Sequence, residues 1–284
     1  MRRHRVVSGQ ILAHAPILRL AIFLVLMGAL AGWEARSPRR ARVLSRMRRW
    51  PHNLGLSIIN TLSLRLLLPT AAVSLAAVAE LRGWGLFNTI AIPWWLAVVL
   101  SLLLLDLTIY LQHVMFHALP LLWRVHRVHH SDMDFDVTTA LRFHPAEIVL
   151  SMVVKLAAII LLGAPAIAVL LFEIILNATA MFNHANASLP ARIERIARLV
   201  VVTPDFHRVH HSMIAAETNS NFGFNAPWWD RLFGTYRAQP RAGHDHMRIG
   251  LEDFCDPAQE RLDRLLLQPR IRPAHDLSMQ RAPR

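Results

Sequence analysis

Only one of the 284 residues is a cysteine, Cys255, so the chain has no internal disulfide and no thiolate zinc site. Only one, Lys155, is a lysine, and the net charge of +12 is therefore carried almost entirely by arginine. No H-E-x-x-H occurs and no carboxylate directly adjoins the histidine clusters, which disfavours a zinc hydrolase with a glutamate base. A pI near 11.5 raises nucleic acid as a partner, but no recognition motif accompanies it and the basic block lies beside apolar runs. Nucleic acid is therefore not expected. The sequence also carries no haem-binding or flavin-binding domain.

What is present is apolar sequence in long blocks. The chain is 54% hydrophobic with a mean hydropathy of +0.33, and its arginines are segregated from those blocks, as in a membrane protein with basic loops. Ile11 to Trp33 is long enough to cross a bilayer, with Arg19 in its first half, and has no small-residue cleavage site after it. Arg36 to Trp50 holds seven arginines and reads as a solvated loop at the membrane surface. Leu54 to Glu80 is a second span, its Leu54–Leu64 part set along the interface, and Ile90 to Leu111 a third. Glu147 to Asn183, broken at Gly163-Ala164-Pro165, reads as a membrane hairpin. A short amphipathic stretch lies near Ala258 to Leu267.

The pattern predicts an all-α integral membrane protein with four to five membrane-embedded helices under a cytosolic helical cap. Three regions are expected: N-terminal helices with the basic loop over 1–99, a catalytic domain over 100–240, and a polar C-terminal tail over 241–284. Positive-inside bias turns the basic loop to the cytoplasm, although Arg2, Arg3 and Arg5 weakly oppose it. That orientation brings every histidine cluster to one side.

Those clusters carry the chemistry. H-R-V-H-H occurs at His126–His130 and again, identically, at His207–His211, with His113 and His117 just upstream of the first copy. Residues three and four apart share a helix face, so His126 can present its ring beside His129 and His130, and His113 beside His117. Adding His184 gives nine candidates, with His144 a tenth. One tetrahedral zinc takes about four ligands, so the count implies two metals. Without thiolates, and with few carboxylates nearby, iron, zinc and copper all suit the site; O2 activation by non-haem iron best suits one facing apolar substrate.

The motifs resemble those of the fatty acid hydroxylase and sterol desaturase superfamily, in its bacterial form. H-V-M-F-H at His113–His117 and the two H-R-V-H-H copies look like its three histidine boxes. Asp106 and Tyr110, R-F-H-P-A-E at Arg142–Glu147, N-H-A-N at Asn183–Asn186 and N-F-G-F-N-A-P-W-W-D-R-L-F-G-T-Y at Asn221–Tyr236 agree, as does G-H-D-H-M-R-I-G-L from Gly243. The resemblance covers about Leu100 to Phe254. It implies a di-iron centre in the bacterial inner membrane facing the cytoplasm, with O2 as co-substrate and a lipid C–H bond as target. The same ligands would also accept zinc in place of iron in purified protein. Electrons would come from a separate ferredoxin, cytochrome or reductase. His113, His117, His126, His129, His130, His184, His207, His210 and His211 fall on the family's ligand positions. Ser188 stands where some members carry another histidine, leaving one metal with an open or water-filled position.

Hydroxylation and desaturation are both open, since the same oxidant can remove a second hydrogen. A membrane metal transporter is disfavoured because the ionisable residues collect at one face instead of lining a path. His144 is placed behind the ligands or near the substrate, with the start of the hairpin as its alternative role. Asp106, two turns before His113, is expected either to pair with a liganding imidazole or to serve as a polar residue in helix packing. Glu173 and Asn177 share a face inside the hairpin and are candidates for contact with a lipid headgroup or with substrate polar atoms. His244 and His246 are assigned to the surface, and Trp228 and Trp229 to the membrane interface.

Overall fold

The computed structural model describes residues 14–69 and 71–274. Seven of its helices have eleven or more residues: α1 (Ala15–Arg36), α2 (Arg46–Leu67), α3 (Ala72–Arg82), α4 (Trp94–Ala118), α5 (Pro120–His130), α6 (Pro145–Leu162) and α7 (Ala166–Asn183). Among the described residues there are no strands, only the isolated bridges Pro38–Ala187 and Ser212–Ile249. Five stretches are long and apolar enough to cross a membrane, which makes the chain an integral membrane protein.

The hairpin follows the sequence expectation closely, because its punctuation is strong. Gly163 ends α6 in the left-handed conformation (φ 64°), and Pro165 precedes the first residue of α7. Gly85 packs backbone to backbone on that turn; a Cβ there would stand 2.1 Å from the Gly163 nitrogen. Glu80 accepts the Ala166 N–H (3.2 Å), satisfying one open donor at the start of α7. Small residues let the helices approach: Ala72 and Ala76 of α3 join Leu105 and Ile109 of α4, Ile159 of α6, and Val169 and Phe172 of α7 in one buried cluster.

Several boundaries differ from the sequence reading. The first span runs to Arg36, and Ile11–Ala13 lie outside the described residues. The expected second span is two helices, interrupted at Leu68-Pro69, where a proline disfavours helix in the residue before it. The third continues almost two turns beyond Leu111 and carries His113 and His117 within α4.

The basic segment is not a solvated loop. Arg46, Arg48 and Arg49 lie in α2, and Arg49 is fully buried. It donates to both carboxylate oxygens of Asp132 (2.7 and 2.7 Å) and to Asp136 (2.7 Å). Arg46 pairs with buried Glu34 (2.8 Å), and Arg39 bonds Asp205 and Asp245. Arginines near the membrane thus tie the first two helices into the cap. The described part of the expected polar tail, residues 241–274, is likewise packed against the rest: Leu265 joins Leu56 and Val128 in a cluster, and Arg142 pairs with Glu260 beneath α5.

Candidate metal centre

Each histidine is delivered by a helix end. His113 and His117 occupy the last two turns of α4. The chain turns at Leu119, and Pro120 opens α5, whose last turns carry His126, His129 and His130. His184 follows the final residue of α7. Thr203 caps the Pro204–His210 helix by accepting the Phe206 N–H (3.3 Å), and that short helix presents His207 and His210, with His211 next.

All nine side chains are buried and converge as two groups: His113, His117, His126, His130 and His210 in one, His129, His184, His207 and His211 in the other. Each H-R-V-H-H copy serves both groups. The first gives His126 and His130 to one and His129 to the other; the second gives His210 to one and His207 and His211 to the other. The expected face-sharing of His126 with His130 holds, while His129 turns to the second group.

The hydrogen bonds define what these rings offer. The Nδ1–H groups of His113, His126, His184 and His210 donate to Phe222 O (2.8 Å), Glu147 Oε1 (2.6 Å), Ala180 O (2.7 Å) and Ser220 O (2.7 Å). His117 Nδ1 meets Asn219 Oδ1 at 3.1 Å. A neutral imidazole has one N–H, so Nε2 of these rings is a bare lone pair. Yet His113 Nε2 stands 3.1 Å from His126 Nε2 and 3.0 Å from His210 Nε2, and His184 Nε2 stands 3.1 Å from His129 and from His207 Nε2. Lone pairs aimed at one another repel; a cation between them removes the repulsion.

The spacing fits such an ion. Two nitrogens each about 2.1 Å from one metal and at right angles are about 3.0 Å apart. Both nitrogens of His211 are buried without a hydrogen-bond partner, a cost that ligation relieves for the one that binds. Burial, then the neighbouring imidazoles, pushes the pKa of His129, His130, His207, His210 and His211 well below the usual value. Burial likewise takes His184 down to about 4. The rings are therefore neutral and ready to ligate at physiological pH.

Glu147 behind His126 is a functional candidate that residue-by-residue reading did not assign, although it closes the R-F-H-P-A-E motif. Asp230 is another. Its carboxylate accepts the N–H groups of Phe222 and Gly223 (2.7 and 2.7 Å) and the Thr235 hydroxyl (2.6 Å), so it fixes the loop whose Phe222 carbonyl holds His113. Burial raises its pKa to about 6. Gly223 is required there, because a Cβ would meet Asp230 Oδ2 at 2.6 Å. These contacts give N-F-G-F-N-A-P-W-W-D a local explanation.

The remaining candidates lie apart from the rings. Asp106 does not pair with an imidazole: it accepts from Asn225 Nδ2 (2.8 Å), Trp229 Nε1 (2.9 Å) and the Ala226 N–H (3.3 Å), fastening the same loop to α4. Tyr110 shares a hydrogen bond with Thr235 (2.8 Å) and stacks on Phe233. His144 caps α6, accepting the Ala146 N–H (3.2 Å), with Nε2 toward Leu266 O (3.3 Å); this is the hairpin-start role and not a place among the ligands. Glu173 is locked by Lys155 (2.6 Å) and Arg19 (2.7 Å), and Asn177 donates to the Glu173 carbonyl (2.8 Å). Ser188 is exposed and His244 is buried near Asp205 (3.8 Å), against its surface assignment, while His246 is exposed.

Residues 98–235 match the model of the fatty acid hydroxylase family. The chain is 33% identical over 144 residues to an ornithine lipid hydroxylase of Rhizobium tropici, covering 51% of this chain and 43% of that one. It is 26% identical over 166 residues to an alkylglycerol monooxygenase of Homo sapiens and 30% over 159 residues to that of Danio rerio; the matches cover 55% and 54% of this chain and 34% of each relative. The chain thus spans less than half the length of these relatives. No solved structure matches it. The matched segment, just under half of the chain, contains all nine converging histidines and the three boxes by which it resembles the fatty acid hydroxylase family.

Proposed function

We propose that this protein hydroxylates an unactivated C–H bond of a membrane lipid, using O2 and a di-iron centre held by the nine histidines. The observation that carries this reading is the pair of buried imidazole groups, lone pairs inward, at the end of a bundle of apolar helices. The five-histidine group would hold one iron and the four-histidine group the other, the smaller set leaving room for an exogenous ligand. When bound, the two irons supply the redox chemistry by which O2, two electrons and two protons convert C–H to C–OH and water.

The chain's own residues do the positioning. Carbonyl oxygens of Phe222, Ala180 and Ser220 and the Glu147 carboxylate fix ring tautomers and aim Nε2 inward. Phe143, stacked on His129, together with Phe135, Trp123 and Phe222, surrounds the rings with apolar surface that keeps water out. The relatives named for an ornithine lipid and for alkylglycerols support a lipid bearing a polar end as substrate. In this reading a separate ferredoxin, cytochrome or reductase supplies the two electrons. The positive-inside bias of the arginine-rich segment supports a site on the cytoplasmic face of a bacterial inner membrane.

The test joins metal analysis of anaerobically purified protein to lipid profiling of a deletion strain under 18O2. The expected result is two irons per chain and a lipid whose added oxygen carries the label and which disappears in the deletion. Two tightly held zincs, with no O2-dependent product after iron reconstitution, would overturn the proposal.

A further inference from the structure

Exposed apolar side chains are expected along lipid-facing helices, but a second set stands on the cap. The Ala191–Ala197 helix and the turn after it expose Ile193, Ile196, Leu199 and Val200, each more than half accessible and spaced to share one face. The other face is turned to the protein through Glu194, which binds Arg198 (2.6 Å) and Thr203 (2.6 Å). Beside it the Trp228–Leu232 helix and Phe233 expose Trp228, Leu232 and Phe233. The two are fastened together: Trp228 Nε1 donates to Leu199 O (2.7 Å) and Arg231 to Arg198 O (3.1 Å). Contiguous apolar surface of this kind marks an interaction site. Arg192, Arg195 and Arg231 rim it, all exposed.

Contacts with α4 give its depth. Phe233 stacks on Tyr110 with ring centroids 5.4 Å apart, and Trp229 binds Asp106. The apolar run of α4 from Trp94 to Leu111 rises only about 27 Å, so all of it is needed to cross a hydrocarbon core of about 30 Å. Tyr110 lies in the last turn of that run and Asp106 a turn deeper. Side chains meeting α4 at these levels reach the boundary between headgroups and acyl chains, not the aqueous phase.

We infer that Ile193, Ile196, Leu199, Trp228, Leu232 and Phe233 form an interfacial foot, seated in an anionic leaflet with the three arginines at lipid phosphates. A basic amphipathic face with aromatic and aliphatic anchors is what such a surface binds. The foot is also coupled to the metal-binding rings. The Trp228–Leu232 helix carries Asp230, which holds the Phe222 peptide whose carbonyl accepts the His113 Nδ1–H. Seating in the membrane and alignment of His113 are thereby linked through one loop.

The experiment uses the full chain in lipid vesicles. Cys255→Ser removes the native thiol, and Ile196→Cys or, separately, Leu199→Cys is labelled with an environment-sensitive fluorophore. In phosphatidylcholine vesicles containing phosphatidylglycerol, both labels should emit blue-shifted light and be quenched by lipids brominated near the top of the acyl chain. Removing phosphatidylglycerol, or introducing Arg192→Glu with Arg195→Glu, should weaken the quenching. Water-like, unquenched emission at both positions would overturn the inference and point to an aqueous protein partner; quenching indifferent to lipid charge would overturn the role given to the arginines. Neither readout depends on metal or turnover, so failure here is distinguishable from failure of the hydroxylase proposal.

Discussion

Glu147→Gln isolates one interaction on which the two-group reading depends. Glu147 Oε1 accepts the Nδ1–H of His126 at 2.6 Å, and both side chains are buried. The partners seen for Nδ1 of His113, His184 and His210 are neutral carbonyls, so His126 is distinguished by an anionic one. An anion behind a liganding imidazole raises its basicity, and loss of such a partner costs roughly 10- to 100-fold in metal affinity, about 1.4–2.7 kcal/mol. Glutamine keeps the shape and an acceptor oxygen but removes the charge. His126 belongs to the five-histidine group alone, so the loss should be selective. Under chelator competition followed by elemental analysis, Glu147→Gln should release one metal at a roughly 10- to 100-fold lower chelator concentration and retain the other as wild type does. The variant also loses a favourable charge in the first turn of α6, about 0.3–1 kcal/mol, which a thermal unfolding measurement reads separately. Equal weakening of both metals, or of neither, would refute the assignment.

Four further outcomes follow from the same geometry. Arg49→Met leaves the buried carboxylates of Asp132 and Asp136 without their cation and should cost about 3–5 kcal/mol, read as a large loss of thermal stability; wild-type stability would contradict the network. Asp106→Ala removes the acceptor for three N–H groups and should loosen the Asn221–Tyr236 loop, measured as faster proteolysis there while the α6–α7 hairpin stays protected. His129→Ala should abolish turnover in the lipid assay with the protein still in the membrane fraction; retained turnover would count against its place in the four-histidine group. The metal-free protein should lose stability on acidification. His184 has a folded pKa of about 4 against about 6.5 unfolded, so between those values the unfolded chain holds the extra proton. Stability is full above about 6.5 and falls as pH drops toward 4, by about 3 kcal/mol from this ring alone; a flat denaturation profile over that window would contradict its burial.

The hairpin and the histidine boxes were legible because their signals are local. Gly163 and Pro165 bound two apolar runs of helical length, and the repeated H-R-V-H-H needs no partner to be noticed. What escaped depends on which distant segments meet. Glu147 looked like the first residue of a membrane helix, and only the fold brings it to His126, 21 positions earlier. Asp106 has the right spacing to stand behind His113, but an Asn225–Trp229 loop arriving from 119–123 residues away takes its oxygens instead. His144 and His244 show the same limit: composition assigns a histidine a possible role, and packing decides between cap, core and ligand.

The arginines illustrate why one residue can support two readings. Charge counting treats Arg36 to Arg49 as free cations facing the cytoplasm, whereas in the fold Arg39, Arg46 and Arg49 are engaged by acidic side chains of the cap or of α1. These uses belong to different times. Positive-inside bias acts while the helices insert, before the cap has closed, when every arginine in the segment is still hydrated and counts toward orientation. In the closed fold Arg49 pairs with Asp132 and Asp136, which lie two and six residues after the first H-R-V-H-H. The segment that would set the direction of insertion thus also braces the turn after His129 and His130. Its arginines should therefore tolerate replacement by lysine for orientation, but not at position 49, where the bidentate geometry to Asp132 requires a guanidinium.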